Sequence, residues 1–145
     1  MDLCITNEKI KQMKELTYNE RIAVMRILHD IILADNRIDE REQMLFTDIA
    51  KTLDLDASAR QSVEKLNSLL ALAIIHDFNQ KQKEEFAKLM GQMIIVDKDI
   101  NYNEVKLYNA FCESCNIEKD FNTEDYPEYT LSGPFVNPED LMDIM

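Results

Sequence analysis

Apolar residues recur every three or four positions through most of the first 117 residues, which is the spacing of amphipathic helices. The pattern is clearest at Ile22, Met25, Leu28 and Ile32, and again at Phe86, Leu89, Met93 and Val96. We therefore predict helices that each bury one stripe against a partner helix.

Helix-starting residues stand in front of these apolar segments. Capping-box sequences occur at Thr17–Glu20, Asp39–Glu42, Asn79–Gln82 and Asn101–Glu104. They predict helices that end near Ala34, Leu53, Val96 and Cys115. Asp56 and Ser68 are expected to cap two shorter helices that end near Leu66 and His76, and another helix is expected at about Asn7–Glu15.

The sequence also repeats itself, because Ile27–Leu55 and Leu89–Ile117 match at an offset of 62 residues. Matched pairs include Ile32/Ile94, Asp35/Asp97, Ile38/Ile100, Glu42/Glu104, Leu45/Leu107 and Leu55/Ile117. A duplicated helix–acidic loop–helix unit predicts two halves that pack face to face about a pseudo-twofold axis. Residues 56–78 would connect them.

These patterns predict an all-α orthogonal bundle of about six or seven helices. We expect one helical domain over residues 1–120, with repeats at about 18–55 and 80–117. Residues 121–145 form an acidic tail that contains all three prolines. The sequence Asn137-Pro138-Glu139-Asp140 predicts a terminal helix at Leu141–Met145.

Each repeat places an aspartate, Asp35 or Asp97, where its first helix ends. Unpaired carbonyls at a helix C-terminus disfavour a carboxylate by about 0.3–1 kcal/mol, so its recurrence calls for an explanation. One explanation is structural, an Asx-turn that accepts nearby amides. The other is a divalent cation, Ca²⁺ or Mg²⁺, held by oxygen ligands. The candidate ligands are Asp35, Asp39, Glu42, Asp97, Asp99, Asn101 and Glu104.

The loops are not EF-hands. Counted from each first aspartate, the sixth residues are Glu40 and Tyr102 where that motif needs glycine. The twelfth residues are Phe46 and Tyr108 where it needs a bidentate glutamate.

The loop pattern resembles the tellurite-resistance TerB-like family, whose motif is Ala-Asp-Gly-x-Ile-x-x-x-Glu between two helices. The segment 34–42 matches it with Asn36 in place of glycine, and the segment 96–104 matches more loosely, with Val96 for alanine and Lys98 for glycine. The resemblance covers residues 18–117. It implies an all-helical domain, an acidic cation site, no established catalysis, and association with stress-response or membrane-linked complexes.

Charge and cysteine content narrow the partners and the location. The net charge of −12 argues against binding a nucleic-acid backbone, and the apolar runs are too short to span a bilayer. The three cysteines are an odd number and read as reduced thiols of a cytoplasmic protein. Cys112 and Cys115 fall on core-facing positions of the second repeat, so we interpret that pair as core rather than as a redox or zinc site.

The sequence therefore predicts a non-enzymatic cytoplasmic binding module with the acidic loops as its site. The alternative is a metal-free interaction or co-chaperone-type scaffold that uses its acidic surface and its tail. In either case we expect a protein partner, with a homodimer as one form of it.

Overall fold

The computed structural model describes residues 13, 15–35, 39–96, 100–122 and 124. Six α-helices lie in these ranges and none of the described residues forms a strand. They are α1 (Tyr18–Ile32), α2 (Glu40–Thr52), α3 (Ala59–Lys65), α4 (Ser68–His76), α5 (Gln80–Ile95) and α6 (Tyr102–Ser114). A 3₁₀ turn, Leu33–Asp35, extends α1. The all-α prediction is confirmed.

Two of the predicted capping boxes form as expected. The Thr17 hydroxyl accepts the Glu20 amide at 3.2 Å, and the Glu20 carboxylate accepts the Thr17 amide at 2.7 Å. Asn79 and Gln82 exchange the same pair of bonds at 2.8 and 3.1 Å. Each box satisfies two amides that have no partner within the helix, which fixes where α1 and α5 begin.

The starts of the two short helices differ from the prediction. Helix α4 is capped by Asn67, whose Oδ1 accepts the Leu69 amide at 2.7 Å, so Ser68 is its first helical residue. Asp56 accepts the Ser58 amide at 2.9 Å in the turn before α3, which begins three residues later than Asp56. The first difference arises because Asn67 and Ser68 are both good capping residues. The second arises because an Asx side chain such as Asp56 can hold a turn instead of capping a helix.

Helix α1 is the centre of the fold and contacts all five other helices. Its consecutive residues 22–25 are all buried, as are residues 89–96 at the end of α5. The prediction of one buried stripe per helix is therefore wrong for α1 and α5, because neighbours surround them on several sides. Helices α1 and α5 pack on each other; α1 also contacts α2 and α6, while α5 contacts α6 and α2. This reciprocal packing fits the predicted pseudo-twofold arrangement.

The repeat extends to the ends of α2 and α6, where Asp54 and Asn116 both adopt left-handed backbone with φ of 58° and 59°. Each is the left-handed residue of a Schellman motif, directly after the C-cap of its helix. The Leu55 amide bonds the Ala50 carbonyl at 2.9 Å, and the Ile117 amide bonds the Cys112 carbonyl at 2.7 Å. Leu55 and Ile117 are buried, so both repeats end by returning an apolar residue to the core.

The half-buried Arg26 joins α1 to the two short helices beside it. Arg26 forms an ion pair with Asp30 at 3.2 Å and donates to the Ser68 hydroxyl at 3.3 Å. It also donates to the Val63 and Glu64 carbonyls at 3.5 and 3.3 Å. These carbonyls end α3 and Ser68 begins α4, so one side chain holds the connector against α1.

Several predictions fall outside the described residues. These are most of the expected helix at Asn7–Glu15, of which Met13 is described as helical and buried, and nearly all of the tail. The first tail residue is described: the Phe121 amide donates to Asn109 Oδ1 at 2.9 Å, and its ring packs edge-on against Tyr108. No helix among the described residues is long and apolar enough to cross a membrane.

Candidate functional site

The two acidic loops begin their second helices in the same way. Asp39 Oδ1 accepts the Arg41 amide at 2.7 Å, and Asn101 Oδ1 accepts the Asn103 amide at 2.8 Å. Each bond spans two residues, so both caps are Asx-turns. The sequence placed the caps correctly but expected a box closed by Glu42 and Glu104.

The Arg41 side chain adds to the first of these caps, since its Nε lies 3.4 Å from Asp39 Oδ1. Burial alone would raise the pKa of Asp39, but the hydrogen bonds from Arg41 and its positive charge lower that pKa overall. Asp39 is therefore ionised at neutral pH, with one of its oxygens already engaged. The only side-chain oxygen of Asn101 is engaged by the Asn103 amide.

Glu42 and Glu104 are buried rather than displayed at the loop surface. Their exposed fractions are 1% and 0%, and both lie in the first turn of the helix that follows an acidic loop. Acidic side chains are rarely buried unless hydrogen bonds, a cation or a favourable helix dipole compensates their desolvation. Both repeats therefore bury an acidic side chain at the same position, in the turn that follows the acidic loop.

The structure brings together the helix ends that flank the two loops. The Leu33–Asp35 turn packs against α6, and Asn103 Nδ2 donates to the Ala34 carbonyl at 3.4 Å. Residue 103 is in the first turn of α6, directly after the second loop. The end of the first loop's helix thus touches the start of the second loop's helix, a proximity that spacing in the sequence could not establish.

The remaining predicted ligands lie outside what the structure describes: residues 97 and 99, and the side chain of Asp35. Among the described residues, no group of three or more His, Cys, Asp or Glu side chains could hold a metal ion. Of the predicted oxygen ligands, the structure describes the side chains of four: the capping residues Asp39 and Asn101 and the buried Glu42 and Glu104. Any cation would therefore need oxygens from Asp35, Asp97 or Asp99.

The cysteine pair belongs to the core, as predicted. Cys112 and Cys115 are fully buried free thiols, and Cys115 Sγ lies 3.6 Å from the Leu72 carbonyl oxygen. Burial raises the pKa of Cys112 to about 12 and that of Cys115 to about 11. Both thiols are therefore protonated at neutral pH and are poor nucleophiles and poor metal ligands.

A second feature, missed by the sequence analysis, is a cavity of about 470 Å³ between α1, α2 and α3. His29 lines it, with its ring tilted against Phe46 at a centroid distance of 6.0 Å. Burial, with the nearby Arg26 charge, lowers the pKa of His29. The sequence signal was the row of small residues facing the cavity, Ala50, Ala57 and Ala59, where larger side chains would have filled it.

Comparison with known proteins agrees with the family resemblance of the first acidic loop and with the helical fold. The family model described as "Tellurite resistance protein TerB" matches residues 4–65, which hold the first acidic loop. No curated protein matches the sequence. A protein of unknown function, PG1108 from Porphyromonas gingivalis W83, has a similar crystal structure, with a TM-score of 0.63 at 18% identity. That match covers 79% of this chain and 95% of the other, and it supports the fold alone. The family model therefore shows that residues 4–65 are similar to tellurite resistance protein TerB, and the structural match supports the helical fold of most of the chain.

Proposed function

We propose that the chain is a non-enzymatic, cytoplasmic TerB-like module whose two acidic loops together bind a divalent cation. The observation that supports it is the contact between the helices that flank the loops, where Asn103 Nδ2 donates to the Ala34 carbonyl at 3.4 Å. From this contact we expect the carboxylates of the two loops, 62 residues apart in the sequence, to face one surface. Oxygen ligands on such a surface suit Ca²⁺ or Mg²⁺.

The cap geometry narrows the expected ligands. Asn101 contributes its side-chain oxygen to a cap, and Asp39 contributes one of two. We therefore expect Asp97 and Asp99, with Asp35, to supply the main charged ligands. Glu42 and Glu104, buried in the turns beside them, would hold the loops in place.

The proposal contains no catalytic step. The two described cysteines are protonated in the core, and the described histidine–carboxylate pair, His76 and Asp77, is exposed on the surface. A cation here would serve a module that associates with a stress-response or membrane-linked complex, as the family resemblance implies.

The test is the thermal unfolding midpoint of chelator-treated full-length protein, titrated with Ca²⁺, Mg²⁺ and Mn²⁺. A cation at 100 times its dissociation constant should add roughly 2.7 kcal/mol of stability, which is a rise of several degrees. The double variant Asp97→Asn/Asp99→Asn should lose that rise.

The matched control removes two carboxylates elsewhere, Asp77→Asn/Asp120→Asn, and should keep the rise. A flat titration of the unaltered protein would refute cation binding. If the unfolding midpoint rose equally in the unaltered protein and in both double variants, and for all three ions, the rise would indicate charge screening and would also refute the site.

A second candidate, a metal-free protein-interaction module, is favoured by two exposed leucines. Leu69 and Leu70 open α4 with exposed fractions of 76% and 55%. Adjacent exposed apolar side chains are typical of contact surfaces. If they join two copies of the chain, sedimentation equilibrium should detect a dimer that Leu69→Ser/Leu70→Ser dissociates. A monomeric unaltered protein would reject the homodimer.

A further inference from the structure

The cavity between α1, α2 and α3 has apolar walls and a polar mouth. Its walls are formed by Met25, Ile32, Phe46, Ala50, Leu55 and Val63. Lys51 and Arg60 also line it, and Arg60 pairs with Glu64 at 3.5 Å. Its volume of about 470 Å³ is in the range of small-molecule binding sites, which combine apolar walls with few polar groups.

The second repeat offers an internal comparison, because a concave region lies at the matching end of α6. Residues that line it correspond, at the offset of 62, to residues of the first cavity: Asn109 to Thr47, Glu113 to Lys51, Ile117 to Leu55, Glu118 to Asp56 and Lys119 to Ala57. The duplication has therefore produced two related concave surfaces.

The two surfaces differ in how their aromatic floor is covered. Just after the second repeat, Phe121 packs on Tyr108 with ring centroids 5.5 Å apart and an interplanar angle of 79°. At the offset of 62, Phe121 corresponds in sequence to Ala59, and Tyr108 corresponds to Phe46. Ala59 lines the first cavity together with Phe46 and contributes only a methyl group to its wall.

The charge at the mouth differs as well. Lys51 lines the first cavity and makes no ion pair among the described residues, whereas its counterpart is the acidic Glu113. The lowered pKa of His29 leaves its ring neutral at pH 7. Two carboxylates also line the cavity, but Glu64 pairs with Arg60, and Asp56 accepts the amide and the hydroxyl of Ser58. Lys51 is therefore the charged side chain of this lining that makes no ion pair or hydrogen bond with the described residues.

We propose that this cavity binds an apolar monocarboxylate. Its aliphatic or aromatic body lies over Phe46 in the space that Ala59 leaves, and its carboxylate meets Lys51 at the mouth. Binding is independent of any cation in the acidic loops, so it is measured in the presence of a chelator.

The test uses decanoate below its micellar concentration, with decan-1-ol as the uncharged probe of equal chain length. Isothermal titration of the full-length chain should give saturable binding of decanoate. Ala59→Phe, which copies the second repeat, should weaken binding of both probes at least roughly tenfold by filling the cavity. Lys51→Glu should weaken decanoate about three- to fivefold and leave decan-1-ol unchanged, since an exposed ion pair contributes little.

Lys81→Glu is the matched control, because it makes the same charge change on an exposed part of α5 and should leave both affinities unaltered. If Ala59→Phe does not fold, the methyl resonances of Met25 and Ile32 in unaltered protein replace it, because decanoate in the cavity must shift them.

Three results would overturn the proposal. The first is absence of saturable decanoate binding, or unshifted methyl resonances. The second is unchanged affinity in both Ala59→Phe and Lys51→Glu. The third is nuclear Overhauser contact between Met25 and residues 125–145, which would assign the cavity to the chain's own terminus instead.

Discussion

The left-handed residues that end α2 and α6 give a quantitative test of the repeat. Asp54 has φ of 58°, where any side chain with a Cβ is strained by roughly 1–2 kcal/mol and glycine is not. Glycine in turn loses about 0.5–1 kcal/mol through the greater freedom of the unfolded chain. Asp54→Gly should therefore be more stable than Asp54→Ala by about 1 kcal/mol. Because both variants remove the same charge, the helix dipole cancels from the comparison.

The control is Asp77, which ends α4 with φ of −87°. Alanine adopts that conformation without strain, so Asp77→Ala should be more stable than Asp77→Gly by about 0.5–1 kcal/mol. Asn116, at φ of 59°, should follow Asp54 in sign.

Urea unfolding followed by the helical circular dichroism signal measures these differences, provided that the slope against urea is unchanged. The two matched positions should favour glycine and Asp77 should favour alanine. Equal stability of the glycine and alanine variants at residue 54 would refute the assigned backbone conformation.

Three further perturbations test other parts of the structure. Arg26→Met removes an ion pair and three hydrogen bonds at the junction of α3 and α4, and should cost about 2 kcal/mol in the same urea assay; a loss below about 0.5 kcal/mol would contradict that role. The pKa of His29 is lowered from 6.5 by burial and then by Arg26, with Arg60 acting in the same direction and Asp30 and Glu64 opposing. The unfolded chain therefore binds more protons than the folded one, and stability falls as pH drops through and below 6.5. His29→Gln should flatten that part of the pH profile, and an unchanged slope would assign it to other groups. Cys112 and Cys115, with pKa values raised to about 12 and 11, should react with iodoacetamide only as fast as the fold opens, so rapid labelling in native buffer, detected by peptide mass spectrometry, would contradict their burial.

The sequence predicted most of the helices well because helix starts depend on capping residues only a few positions apart. Thr17 with Glu20, and Asn79 with Gln82, each fix a helix start through bonds that span three residues. The short helix α4 was placed one residue from its true cap because Asn67 and Ser68 are both good capping residues, and only the backbone conformation distinguishes them.

The site was predicted less completely, because burial depends on contacts between distant segments. Glu42 and Glu104 looked like capping partners in the sequence, yet their burial depends on how α2 and α6 pack on the rest of the bundle. The contact between Asn103 and Ala34 joins residues far apart in the chain, so no spacing rule could give it. The cavity depends likewise on how α3 is seated against α1, an arrangement held by Arg26.

The central position of α1 has a consequence for how the protein unfolds. All five other helices pack against α1, including α5 and α6 of the second repeat. Its interior amides should therefore exchange with deuterium only when the whole bundle opens, and they should be the slowest in the chain. The first repeat lies within the segment that the family model matches, but it does not bury all of α1 by itself. A fragment that ended after α3 would expose to water the faces of α1 that contact α4, α5 and α6. The duplicated halves thus behave as a single cooperative unit.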